Sequence, residues 1–138
     1  MRRQTMTAAA LLAAMAAATP LLAKPLKGKF VGPGTYAMKD GGCDKLRKIA
    51  EGGPKNVGTT PETLTVNGFE SWEGGCSFTS IKELTKGRKW VAKMSCSEGA
   101  DENNKETDTF ERQPDGSFKV TNENKTTIWV RCDAAKGK

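Results

Sequence analysis

Cys43, Cys76, Cys96 and Cys132 are the residues of this chain whose type and spacing most directly imply chemistry. A zinc site needs closely spaced pairs such as C-x-x-C, usually helped by histidine, whereas these gaps are long and the chain has no histidine. An even cysteine count in a small exported chain instead points to disulfides. The missing imidazole also removes His-dependent triads and most imidazole acid–base catalysis. With all four sulfurs bonded, no cysteine nucleophile remains. The catalytic groups left are carboxylates, and Glu70, Glu73 and Glu98 near the feet of a central hairpin are the candidates for a carboxylate-only hydrolase. Surface glutamates on polar strands are the simpler reading, so no enzyme activity is expected. No phosphate loop, dinucleotide fingerprint or calcium loop is present, and no metal or cofactor is expected.

Trp72, Trp90 and Trp129 are the other chemistry-bearing residues. Trp90 alternates with Ala92, Met94 and Cys96 and reads as core. Trp72 and Trp129 read as outward aromatics which, with Arg131, would form a binding face for a partner. A small ligand held inside a barrel between aromatic walls is the alternative.

These residues need elements to hold them. Gly75–Ser97 reads as a β-hairpin with a cysteine at each foot, turning at Lys86-Gly87. A three-residue loop at Thr85–Gly87 sets Cys76 opposite Cys96 and Phe78 opposite Met94. It also sets Lys82 against Trp90, so a bulge is expected near Ser80 or Ile81. Before the hairpin, residues 34–38 read as a strand with Tyr36 and Met38 on one side. Cys43–Glu51 reads as a short helix with Asp44 as N-cap and Gly52-Gly53-Pro54 as its stop. Glu62–Val66 and Phe69–Trp72 read as strands joined at Asn67-Gly68, the second continuing through a bend at Gly74-Gly75.

After the hairpin, residues 97–104 read as a polar loop, and Lys105–Gln113 as a weak strand with no clear inward face. A last hairpin runs through Ser117–Thr121 and Thr126–Cys132, with Phe118, Val120, Ile128 and Val130 on one face and Trp129 and Arg131 on the other. Strands without crossover helices make an all-β antiparallel meander, expected to curl into a six- or seven-stranded barrel with the helix over one end. An open sheet or a two-layer sandwich is the alternative. In a seven-stranded meander the first and last strands run the same way, which pairs Cys43 with Cys132 and leaves Cys76 with Cys96.

The N-terminus bounds compartment and partners. A basic start at Arg2-Arg3, an alanine- and leucine-rich run and small residues at its exit predict a signal peptide over residues 1–23, cleaved after Ala23 or, second, after Ala18. Residues 24–33 read as an extended lead-in, 34–132 as the disulfide-bonded domain and 133–138 as a flexible tail. The predicted location is periplasmic or extracellular, with no membrane anchor. The chain carries a formal +6, and loss of the two leader arginines leaves about +4, a bias toward anionic surfaces. The clusters Lys45, Arg47, Lys48 and Lys86, Arg88, Lys89 lack interleaved aromatics, so no nucleic acid is expected.

At ESWEGGCSF, CSEG and TIWVRC the chain resembles a group of small exported four-cysteine proteins of alphaproteobacteria with no assigned function, over Gly34 to Cys132. The resemblance implies a periplasmic all-β domain and supplies no catalytic residue. The expectation is therefore a monomeric, non-catalytic binding module, an inhibitor of or partner to an envelope macromolecule, either a protein or an anionic polymer.

Overall fold

A computed structural model describes residues 25–99 and 101–132, with side chains from Asn104 onward in the second span. The expected signal peptide and the tail at 133–138 lie outside the described residues. The elements run β1 Tyr36–Met38, α1 Gly42–Ala50, β2 Thr63–Thr65, β3 Gly68–Ser71, β4 Gly74–Thr85, β5 Lys89–Glu98, β6 Asp101–Arg112, β7 Phe118–Asn122 and β8 Lys125–Arg131. Each strand pairs antiparallel with the next, and β1 pairs with β8 to close the barrel.

The barrel has eight strands because Gly74-Gly75 is not a bend within one long strand. Ser71 pairs with Gly74 across a two-residue turn at Trp72-Glu73, so β3 and β4 form a hairpin. The even count lets the two end strands meet antiparallel, Tyr36 beside Arg131 and Met38 beside Trp129.

The central hairpin follows its predicted register. Cys76 opposes Cys96 and Phe78 opposes Met94, and a bulge between Phe78 and Ser80 then shifts the pairing. Glu83 rather than Lys82 therefore stands against Trp90, and its carboxylate accepts the indole N–H at 3.2 Å. A second irregularity between Glu83 and Thr85 moves the loop one residue on, to Lys86–Arg88. The β2–β3 loop is likewise displaced, to Val66-Asn67. Gly68 opens β3 at φ 118°, where a Cβ would lie 1.9 Å from the Cys76 carbonyl oxygen, so this glycine serves the approach of β4 rather than the turn.

Residues 97–104 are not a long loop. The chain turns at Gly99, and β6 pairs with β5 from Asp101 onward despite its polar sequence. Cross-strand pairing with β5 here outweighs low strand propensity.

Both disulfides pair as expected, Cys76 with Cys96 and Cys43 with Cys132. The route to the second differs from the parallel-strand argument. Helix α1 folds back along the outer face of β1 rather than over an end: Gly42 packs where a Cβ would meet Ala37 at 2.7 Å, and the Cys43 sulfur lies 3.8 Å from the Val130 carbonyl oxygen. Ala37 is buried beneath the helix while Tyr36 turns inward. The helix N-cap is Gly41, not Asp44, which sits in the first turn and pairs with Arg47 at 3.1 Å.

An eight-stranded barrel leaves room for its own side chains and little else. Here Leu64, Phe69, Phe78, Met94, Phe110, Phe118 and Trp129 fill it. The lead-in is not a free extension. Leu26 donates its N–H to the Phe78 carbonyl, Gly28 to Val66, and the next turn drives Phe30 and Val31 into one end of the barrel as a plug. The Phe30 ring stacks on Trp90 at 4.9 Å and meets Phe110 edge-on at 5.1 Å. Arg112 seals the plug, donating to the Phe30 carbonyl with its guanidinium 4.5 Å from the Phe118 ring centre.

Candidate functional site

The expected face of Trp72, Trp129 and Arg131 does not exist as one surface. Trp129 is 3 % exposed and packs at 5.0 Å on Phe69, because its pairing with Phe118 puts both on the inner face and turns Ile128 and Val130 outward. Arg131 is exposed at the plug end of β8. Trp72 is 50 % exposed in the β3–β4 turn, at the other end. Of the three, Trp72 stands exposed on the rim of the open end and Trp129 lies buried as part of its floor, while Arg131 is at the opposite end.

That site is the unplugged mouth of the barrel. A depression of about 520 Å³ lies over Trp129, Phe69 and Val120 and is lined by Glu62, Glu106 and Asp108. A second, of about 440 Å³, shares Glu62 and Glu106 and runs to Trp72. The Cys76–Cys96 disulfide stands in the wall between them. A third depression of about 550 Å³ covers Gly74 and Gly75, but Glu70 is its single ionisable lining residue.

The carboxylates that converge are not those singled out from the sequence. Glu70, Glu73 and Glu98 are all exposed, the latter two on the rim beside Trp72. Glu62 enters from the chain just before β2, and Glu106 and Asp108 from the inward face of β6. Phe110 is the signal that could have found the β6 pair: as the one large apolar side chain of that strand it must turn inward, and period two carries Asp108 and Glu106 with it.

The Asn122 side-chain amide ties the cluster together, donating to Asp108 at 2.7 Å and to Glu106 at 3.3 Å. Burial pushes the Asp108 carboxyl up to about 6, reinforced by Glu106 and Glu62 and opposed by the Asn122 hydrogen bond. Glu62 is also raised, first by burial and then by Glu106, with Lys125 pulling it back.

The Asn122 amide nitrogen sits between the Glu106 and Asp108 carboxylates and takes up an oxygen of each. Glu106 also lies close to both sulfurs of Cys76 and Cys96, all three groups within 4.8 Å. Those sulfurs are bonded to each other and offer no thiolate to a metal. What the mouth can do is concentrate negative charge over an aromatic floor.

Comparison of the chain with protein-family models, curated proteins and solved structures finds no match. The reading of the mouth therefore rests on its own geometry.

The raised Asp108 carboxyl has a consequence for stability. Its folded value of about 6 exceeds the ordinary 3.8, so between these values the folded chain holds a proton the unfolded chain has lost. Stability contributed by this group is complete below about pH 4 and falls as pH rises to about 6. Asp108→Asn keeps an oxygen for the Asn122 amide and removes the buried charge. It is expected to raise unfolding free energy at pH 7 by roughly 1–3 kcal/mol and to remove that decline. Urea midpoints of both proteins at pH 4 and pH 7 test this, and a variant destabilised equally at the two pH values contradicts it.

Proposed function

We propose that this protein is a non-catalytic binding module, acting outside the cytoplasm, that takes a cationic group of a partner protein at the open mouth of its barrel. The observation that carries the reading is the convergence of Glu62, Glu106 and Asp108 over Trp129 and Phe69 in one open depression. An ammonium or guanidinium group placed there would neutralise carboxylates that now repel one another, and Trp72 on the rim adds an aromatic face for the same cation. An anionic polymer would meet repulsion at this end. The disulfide in the wall holds the mouth rigid, which lowers the entropy lost on binding. Two disulfides and the leader-like N-terminus support the compartment.

A free small amine is the second reading, favoured by a volume within the range of small-molecule sites. Calorimetric titration with an oligolysine peptide and with a short diamine separates the two. The partner reading expects the peptide to bind at least about tenfold more tightly, because it also covers the rim at Trp72. Affinity is expected to rise with pH through about 6 as Asp108 ionises, and to fall by about tenfold or more in the Glu62→Gln, Glu106→Gln, Asp108→Asn triple variant. An affinity independent of pH and of all three carboxylates sinks both readings.

A further inference from the structure

The plugged end of the barrel has the opposite chemistry. The β4–β5 hairpin tip carries Lys82, Lys86, Arg88 and Lys89, with Leu84 at 50 % exposure among them. The one acid of that tip, Glu83, is occupied internally, its two oxygens accepting the Gly87 N–H and the Trp90 indole N–H. Beside the tip, the lead-in holds Leu26 at 44 % exposure, followed by Lys27 and Lys29. A broad, shallow apolar depression of about 770 Å³ runs between the two, over Ile81 and Phe30. Among the described residues the one ion pair is Arg47–Asp44, and Lys29, Lys82, Lys86, Arg88 and Lys89 make no side-chain hydrogen bond. Five cations without side-chain partners thus lie on the two segments that expose Leu84 and Leu26, with Lys29 lining the depression itself.

We propose that this end docks on an anionic lipid surface, with Leu84 and Leu26 entering the headgroup boundary and the surrounding lysines and arginine set against lipid phosphates. Two separate aliphatic prongs, Leu84 on the hairpin tip and Leu26 at the edge of a shallow depression, suit a plane better than they suit a peptide, which needs a continuous trench. Neither signal suffices alone, since weak apolar insertion and a basic patch each give marginal attachment and together give stable binding. Docked this way, the acidic mouth at the opposite end points away from the lipid phosphates.

The test is cosedimentation with vesicles of phosphatidylcholine and phosphatidylglycerol in equal parts, and with phosphatidylcholine alone. The protein is taken from the exported fraction and its intact mass measured first, so that a retained leader is not mistaken for the docking surface. Wild type is expected to prefer the anionic vesicles and to be released by salt. Each reversal in a Lys82→Glu, Lys86→Glu, Arg88→Glu series is expected to weaken binding on the order of fivefold. Leu26→Ser with Leu84→Ser is expected to weaken it about tenfold or more at unchanged charge. These side chains are all exposed, and an unaltered unfolding midpoint verifies that each variant is folded. Equal binding to neutral vesicles overturns the proposal, as does binding unaffected by the charge reversals. Charge-dependent binding that ignores both leucines and is matched by soluble polyglutamate overturns it in favour of an acidic polymer.

Discussion

The Cys43→Ala, Cys132→Ala protein is expected to lose about 4–5 kcal/mol of unfolding free energy, the entropy released when a cross-link between positions 89 residues apart is cut. Whole-domain stabilities run from about 5 to 15 kcal/mol, so this variant stands at or near the edge of folding. The local setting adds to the effect. Strand β1 is three residues long, and the bridge fixes α1 against the seam where β1 meets β8. The Cys76→Ala, Cys96→Ala protein, with a 20-residue separation, is expected to lose about 3 kcal/mol. Urea unfolding followed by tryptophan fluorescence gives both numbers. A smaller loss for the long bridge than for the short one would mean that chain entropy is not what these cross-links supply.

Phe110→Ala is expected to cost about 3–5 kcal/mol, the usual range for emptying a buried aromatic site. Its ring has no exposed surface and touches Phe30, Phe69, Phe78 and Phe118, so the cavity cannot close by moving one neighbour. Phe110→Leu should recover a large part of the loss. The plug should loosen together with the core, because Phe30 rests on this ring, and cleavage after Lys27 or Lys29 by trypsin should accelerate in parallel. A stable Phe110→Ala protein with unchanged trypsin resistance would contradict this account of the core.

Much of the fold is written in patterns long enough to have a single solution. The run from Trp90 to Cys96 sets Trp90, Ala92, Met94 and Cys96 against Val91, Lys93 and Ser95, and with Cys76 and Phe78 facing it the register, the bulge and the Cys76–Cys96 pair all follow. Ile128-Trp129-Val130 is the contrary case. Three apolar residues in a row satisfy either face, and the decision rests with Phe118 on the neighbouring strand, whose pairing draws Trp129 into the barrel. The acidic mouth was hidden for a related reason: strand β6 advertises its inner face through Phe110 alone, and Glu62 joins from a distant segment. The plug is not legible in the sequence because Phe30 and Val31 sit among lysines, glycines and prolines, where composition outweighs two apolar residues. The Cys43–Cys132 bridge is correct in the sequence reading although its route was not, since the fold-back of α1 depends on Gly42 meeting Ala37.

The seam between β1 and β8 also governs how fast the molecule can be made. Seven of the eight strand pairings join neighbours in sequence; six of them close through turns of two to five residues, and β1 with β2 through residues 39–62, which carry α1. The eighth brings Tyr36 to Arg131, so nearly the whole domain must be gathered before three residue pairs repay the loss of chain freedom. Contacts so distant in sequence slow folding, and they leave both end strands with unpaired edges until the final step. Formation of the Cys43–Cys132 bond in a chain whose hairpins are already in place would convert that search into a local one, so the oxidant that supplies this bond sets the lifetime of the open, edge-exposed state.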